Sequence, residues 1–234
     1  IMEIKAADVA KLRKMTGAGM MDCKKALIEA DGDYDKAQDI IRERGKLVAA
    51  KRADRSATEG VVVSKIVGQK GYMLCLACET DFVAKNSEFS ATANEILDIA
   101  IAADAADLEA LNAVAADGRT VADKVTEKSG QTGEKVVYYA KIEAPMCVTY
   151  IHTNHKLGTL IGFNKEIGME VAKDVAMQAA AMAPISISRE DCDPAVIEHE
   201  RSIGREQARL DGKPEAMLDK IAEGKVNKFL TENT

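Results

Sequence analysis

Four places in the chain combine residue types and spacings that could do chemistry. The first is Cys75-Leu76-Ala77-Cys78, a lone Cys-x-x-Cys inside an apolar run. Residues three apart on a strand face opposite sides, and one pair cannot complete a four-ligand zinc site. The five cysteines, Cys23, Cys75, Cys78, Cys147 and Cys192, are odd in number and irregularly spaced. That pattern argues for structural thiols in a reducing compartment, with a redox centre at Cys75 and Cys78 as the rival. The second place is the pair His152 and His155, flanking an expected turn. No third ligand can be named beside them, so no metal site is expected. The third comprises two glycine-bearing runs. Gly17-Ala18-Gly19 continues into Met20, Met21 and Asp22 and lacks the last glycine of a dinucleotide fingerprint. Gly212-Lys213 is followed by Pro214, where a phosphate loop needs a magnesium-ligating hydroxyl. No nucleophile with its base can be named, so no catalytic residue and no cofactor are expected. The chain reads as a binding protein rather than an enzyme.

The fourth place is Cys78-Glu79-Thr80-Asp81-Phe82-Val83-Ala84-Lys85-Asn86. An adjacent acid and aromatic in a connecting loop are conspicuous in a chain with four phenylalanines. Two readings stay open. Phe82 folds back into the core while Asp81 caps the turn, or Phe82 enters an apolar slot of a partner and carries Asp81 into a polar site beside it.

The elements that must position these residues follow from periodicity. Residues 1–45 read as three short helices. Val9 and Leu12 share a face in the first, Cys23, Ala26, Leu27 and Ala30 in the second, and Tyr34, Ala37 and Ile41 in the third, which is expected to end at Gly45. Residues 46–59 form a basic connector with Lys46, Lys51, Arg52 and Arg55. Residues 60–130 read as a first core subdomain: a hairpin of Val61–Val67 and Tyr72–Glu79, a helix carrying Phe89, Ala93, Ile96, Leu97, Ala100 and Ile101, and a polar helix-rich stretch. Residues 131–192 repeat the pattern more weakly, with strands over 135–144, 146–153 and 156–164. A helix over 167–183 follows, carrying Val171, Val175, Met182 and several alanines. Residues 193–234 read as an antiparallel helical hairpin with Val196, Ile203 and Leu210 as a seven-residue seam, then Met217, Leu218 and Ile221. The fold class is α+β: a three-helix N-terminal domain, a two-part core with antiparallel sheets, and a projecting helical hairpin.

Composition narrows the function classes. The 234 residues are 47% hydrophobic and 30% charged, which excludes wholesale disorder, while 4% aromatics require an aliphatic core. No run is long enough to span a membrane, and Lys5 and Asp8 precede any apolar run, so no secretory signal is expected. The first residue, Ile1, suggests a trimmed chain. Residues 1–55 carry 13 basic and 10 acidic side chains, within a total of 32 against 38. Direct nucleic-acid binding is therefore not expected, whereas a basic N-terminal module suits an acidic protein partner or is simply a solvated face.

Two segments carry a family resemblance. Leu12-Arg13-Lys14-Met15-Thr16-Gly17-Ala18-Gly19-Met20-Met21-Asp22-Cys23-Lys24-Lys25-Ala26-Leu27 resembles the first signature of the translation elongation factor Ts family. Glu79-Thr80-Asp81-Phe82-Val83-Ala84-Lys85-Asn86 resembles the second. Weaker likeness continues through Tyr150-Ile151-His152, Leu157-Gly158, residues 176–181, Gly212-Lys213-Pro214 and residues 221–225. The resemblance implies a cytoplasmic guanine-nucleotide exchange factor for elongation factor Tu, met in its GDP-bound and nucleotide-free states. It implies an N-terminal domain similar to ubiquitin-associated domains. It assigns Thr80, Asp81, Phe82 and Val83 to dislodging magnesium from the partner's nucleotide site, and Arg13, Met20, Met21, Lys24 and His152 to partner binding. Members with this hairpin continue past its second helix, so further residues are expected after Thr234. A homodimer or a two-plus-two complex is left open. The alternative is a ubiquitin-associated-type adaptor using residues 1–45 alone.

Overall fold

The structure is a computed structural model that describes residues 4–52, 57–132 and 135–234. Arg55 of the basic connector lies outside the described residues. Two compact units are distinguished, Ile1–Lys173 and Asp174–Thr234.

The first unit opens with three helices, α1 (Ala6–Thr16), α2 (Met20–Glu29) and α3 (Tyr34–Arg52). Val9, Leu12, Cys23, Ala26, Leu27, Ala30 and Ala37 close one small core, as their spacing predicts. Gly17 ends α1 at φ 69°, and its N–H donates to the Arg13 carbonyl (2.7 Å). The αL conformation is open to glycine without a Cβ clash. Asp33 starts α3 by accepting from the N–H groups of Asp35 and Lys36. The expected stop at Gly45 does not occur. A mid-helix glycine costs only about 1 kcal/mol, the residues after it are mostly helix formers, and α3 packs along α7 (Val121–Thr132) with Lys46 paired to Asp123 at 3.4 Å.

Next come β1 (Glu59–Val67), β2 (Lys70–Cys78), α4 (Asp81–Ala84) and α5 (Ser87–Ala102). The stretch after α5 is not simply helical. It holds α6 (Leu108–Ala113), then β3 (Ala115–Ala116) and β4 (Arg119–Thr120), which are joined by Asp117-Gly118 at φ 54° and 76° before α7. Asp-Gly is a strong signal for such a two-residue turn.

The strands are β5 (Lys135–Glu143), β6 (Met146–Ile151) and β7 (Gly158–Phe163). Although β5 precedes β6 directly, it pairs with β2, giving an antiparallel sheet β1-β2-β5; β6 and β7 form a separate antiparallel pair. Alternation then explains the unbroken apolar run of β1. Val61 and Val63, with Tyr72, Leu74, Leu76, Cys78 and Tyr139, face the helix side and meet Phe89, Ile96 and Leu97 of α5. Val62 and Met73 point the other way, toward β6–β7. Gly71 permits that second layer to come close, since a Cβ there would lie 2.5 Å from Leu160 Cδ1.

Asp104 pins the end of α5 to the sheet. Its carboxylate meets Lys70 Nζ (2.8 Å), Tyr72 Oη (2.9 Å) and Lys141 Nζ (2.9 Å). These partners, Lys70 foremost, hold its carboxyl far below the usual carboxylate range. Beside it Tyr139 donates to the Ala105 carbonyl (2.8 Å), and burial pushes its phenol up to about 12.

Helix α8 (Met169–Met182) crosses the division between the units. Its buried stripe is Ala172, Ala176 and Ala180; Val171, Val175 and Met182, expected inside, are exposed. The second unit continues with α9 (Pro194–Leu210) and α10 (Glu215–Asn233), packed as an antiparallel hairpin. Its seam differs from the seven-residue reading. Ile203 and Leu210 are exposed, and the buried residues are Gly204 and Ala208 against Leu218, Ala222, Val226 and Leu230. Small residues allow close helix approach: a Cβ on Gly204 would lie 3.2 Å from Ala222 Cα. Flanking ion pairs join Arg201 to Glu223 (3.2 Å), Arg205 to Asp219 (2.8 Å) and Arg209 to Glu215 (3.0 Å).

Candidate partner-binding site

The second sheet strand, β2, ends at Cys78, and the chain turns a corner built from two successive helix caps. Thr80 caps α4, its hydroxyl facing the Val83 N–H at 3.5 Å, and Asn86 caps α5 by accepting from Glu88 N–H at 2.9 Å. The Cys78 thiol donates to the Thr80 carbonyl (3.2 Å). Lys85 N–H donates to Asp81 O (3.0 Å) and Asn86 N–H to Val83 O (3.0 Å). Val83 and Ala84 pack inward on the core that holds Leu76 and Phe89.

This anchoring leaves Phe82 outside. It is 84% exposed, the most exposed of the aromatic residues, so the core reading of Phe82 does not hold in the free chain. Asp81 beside it is bound to Lys85 Nζ at 2.7 Å, and that ammonium holds its carboxyl below the usual range. Thr80 is exposed, Asp81 half-buried. The corner thus presents an apolar ring and an ionised carboxylate side by side, on a backbone fixed at both ends.

His152 lies one residue past β6. Its N–H donates to the Leu157 carbonyl (2.9 Å), and His155 N–H donates to the His152 carbonyl (2.8 Å). The loop is strapped to β1: Val62 N–H donates to the His155 carbonyl (2.7 Å), and Lys156 pairs with Glu59. Because α4 also packs on β1, the two loops that carry Phe82 and His152 share one supporting strand. Sequence spacing gave no sign of this, since about 70 residues separate them.

Arg13, Met20, Met21 and Lys24 are all exposed on α1 and α2. Ile28, absent from the sequence reading, is 53% exposed one heptad beyond Met21. Met21, Lys24 and Ile28 therefore line one outer face of α2, a mixed apolar and basic strip. The seven-residue step was the signal that could have found it. Met15 is exposed as well.

The remaining chemical candidates stay apart. Cys75 and Cys78 lie on opposite faces of β2, as alternation requires, and Cys23, Cys75, Cys147 and Cys192 are free thiols. Burial pushes the Cys75 thiol up, away from the reactive thiolate. Among the described residues no group of three or more His, Cys, Asp or Glu could hold a metal ion. No described helix is long and apolar enough to cross a membrane.

Comparison with known proteins agrees over the whole chain. A family model described as elongation factor TS matches residues 79–234. An elongation factor Ts of Amoebophilus asiaticus is 47% identical over 240 residues, covering 100% of this chain and 87% of the relative. That of Porphyromonas gingivalis is 47% identical over 236 residues, covering 100% and 86%. That of Cytophaga hutchinsonii is 46% identical over 239 residues, covering 99% and 86%.

Proposed function

The chain belongs to the elongation factor Ts family, and from that membership we propose that it binds elongation factor Tu carrying GDP and promotes GDP release by disturbing the partner's magnesium site. The activity belongs with translation elongation in the cytoplasm. The observation that carries the reading is the exposure of Phe82 on a corner whose backbone is held by two caps. Thr80, Asp81, Phe82 and Val83 are the segment that acts at the magnesium site. The strip of Arg13, Met20, Met21 and Lys24 anchors the partner, and His152 adds a polar contact.

The physics is linkage. GDP and magnesium hold one another in the partner's site. A factor that binds the loosened, metal-free state better than the loaded state must weaken GDP by the same factor. Burying one phenylalanine is worth ~1.5–3 kcal/mol, which at ~1.4 kcal/mol per decade is about a tenfold to hundredfold effect. Asp81 carries the wrong sign to replace magnesium beside phosphates. Its role is to compete for the water and hydrogen-bond network around the ion.

The test is the rate of labelled GDP release from elongation factor Tu with and without catalytic amounts of this chain, across a magnesium titration. The expected result is acceleration with no GTP hydrolysis by the chain itself. Unchanged release at every magnesium concentration would overturn the proposal.

A further inference from the structure

We propose that Tyr150 is a positioning residue that locks the His152 imidazole so that Nε2 faces outward as a fixed hydrogen-bond donor. The inference rests on the reading of His152 as a partner contact. Tyr150 lies in β6 and His152 two residues on, so both side chains leave the same face. The Tyr150 hydroxyl and His152 Nδ1 are 2.8 Å apart. The ring centroids are 6.0 Å apart with planes inclined at 50°, so the rings meet through this bond rather than by stacking.

The direction of the bond follows from the chemistry of the two groups. A phenol oxygen shares its lone pair with the ring and accepts weakly, whereas its O–H donates well. A neutral imidazole offers one donor and one acceptor nitrogen, and the bond made by one nitrogen sets the state of the other. Tyr150 therefore donates to Nδ1, and the ring proton resides on Nε2. Protonation of the ring leaves Nε2–H a donor as well, so the outward group keeps its character in both charge states. The chemical class it fits is an acceptor on the partner, a backbone carbonyl or a carboxylate.

The surroundings make this positioning worthwhile. The backbone of His152 is already fixed through both its N–H and its carbonyl. Only the side-chain torsions remain free, and His152 itself is exposed. Immobilising one such side chain before binding changes affinity by about two- to tenfold.

Tyr150→Phe keeps the ring and removes only the hydroxyl. Nitrogen-15 spectra of the free protein should show a bare Nδ1 and a protonated Nε2 in the neutral His152 ring. In the variant both nitrogens should move toward the averaged values of an unconstrained histidine. A protonated Nδ1 in the wild type, or identical spectra in the two proteins, would overturn the hydrogen-bond assignment without touching the proposed exchange function. In the second arm, Tyr150→Phe should weaken binding to elongation factor Tu by about two- to tenfold, with an unchanged melting curve. The same change made in a His152→Ala background should have no further effect. An undiminished loss in that background would overturn the proposal, since Tyr150 would then act without His152. Normal binding by His152→Ala, with the expected nitrogen spectra, would instead remove His152 from the site and this role of Tyr150 with it.

Discussion

Phe82 is held out in solvent by its neighbours: Val83 and Ala84 point into the core, and two caps fix the chain on either side. Truncating it should leave the free fold within ~0.5 kcal/mol, the usual range for a surface site, where a core phenylalanine would cost ~3–5 kcal/mol. Phe82→Ala is therefore expected to melt like the wild type yet lower the maximal rate of GDP release by about tenfold or more, the effect of losing a buried hot spot of ~2 kcal/mol. Paired melting curves and saturating exchange kinetics check this; an unfolded variant would contradict the exposure. Asp81→Ala should slow exchange most at high magnesium and least when the metal is chelated. A magnesium titration of release rates reads this directly. The motif around Phe82 was legible in the sequence, but its exposure was not. An apolar residue type predicts burial, and only the packing of Val83 and Ala84 beneath it shows that the inward positions of the corner are already occupied.

Among the elements, α5 and the sheet are joined by their shared core, and the Asp104 carboxylate just past α5 adds a polar clasp. The folded carboxyl of Asp104 is depressed below its unfolded value of ~3.9, so the stability it contributes is present above that pH and is lost as pH falls below it. Asp104→Asn should flatten the acid limb of the stability curve below about pH 4. Asparagine tolerates the left-handed φ of 49° at this position, so backbone strain should not confuse the result. Denaturant melts at a series of pH values test it. On α2, if the proposed anchoring role holds, Met21→Ala combined with Ile28→Ala should raise the concentration needed for half-maximal exchange while leaving the maximal rate largely intact. A fall in maximal rate at unchanged affinity would reverse that assignment. Helices α1 and α2 could be read from periodicity because their cores are local. The partnership of β5 with β2 could not, since no local signal chooses between the adjacent β6 and a strand some 60 residues earlier. The stripe of α8 was only partly legible: of the Val171, Val175, Met182 and alanines read there, the alanines at 172, 176 and 180 are buried and the larger residues are exposed.

At the scale of the whole chain, the two compact units rest on different physics. Residues 1–173 contain a layered aliphatic core, whereas the α9–α10 hairpin has a thin seam, with Gly204 and Ala208 on one side, edged by exposed and half-exposed ion pairs. Exposed pairs are worth ~0–1 kcal/mol each and are screened as the Debye length falls from ~10 Å at 0.1 M salt to ~3 Å at 1 M. Hydrogen exchange is expected to show faster opening of α9 and α10 in 1 M salt, with the amides of β1 and β2 little changed. Equal loss of protection across both units would contradict the contrast. The α+β class was legible because the hydrophobic period changes from helical to alternating after residue 60. The hairpin seam was misread because a seven-residue count assumes that large side chains fill it, and here Gly204 and Ala208 do.

The Arg201, Arg205 and Arg209 ladder also carries less information than it carries charge. Its rungs repeat every four residues on both helices, so sliding α10 by one turn would realign two of the three pairs with an acid of the same sign. The slide would cost one of these three pairs and the contacts of Arg189 with Glu223 and Asn227 (both 2.7 Å), so the charges favour the observed alignment only by surface contacts. The alignment is decided by an absence: only at Gly204 can the Ala222 backbone come so near, and one turn away Leu218 would stand in its place. The hairpin is therefore keyed like a lock with a single notch, and filling that notch would press α10 back from α9 at Ala222 and Lys225.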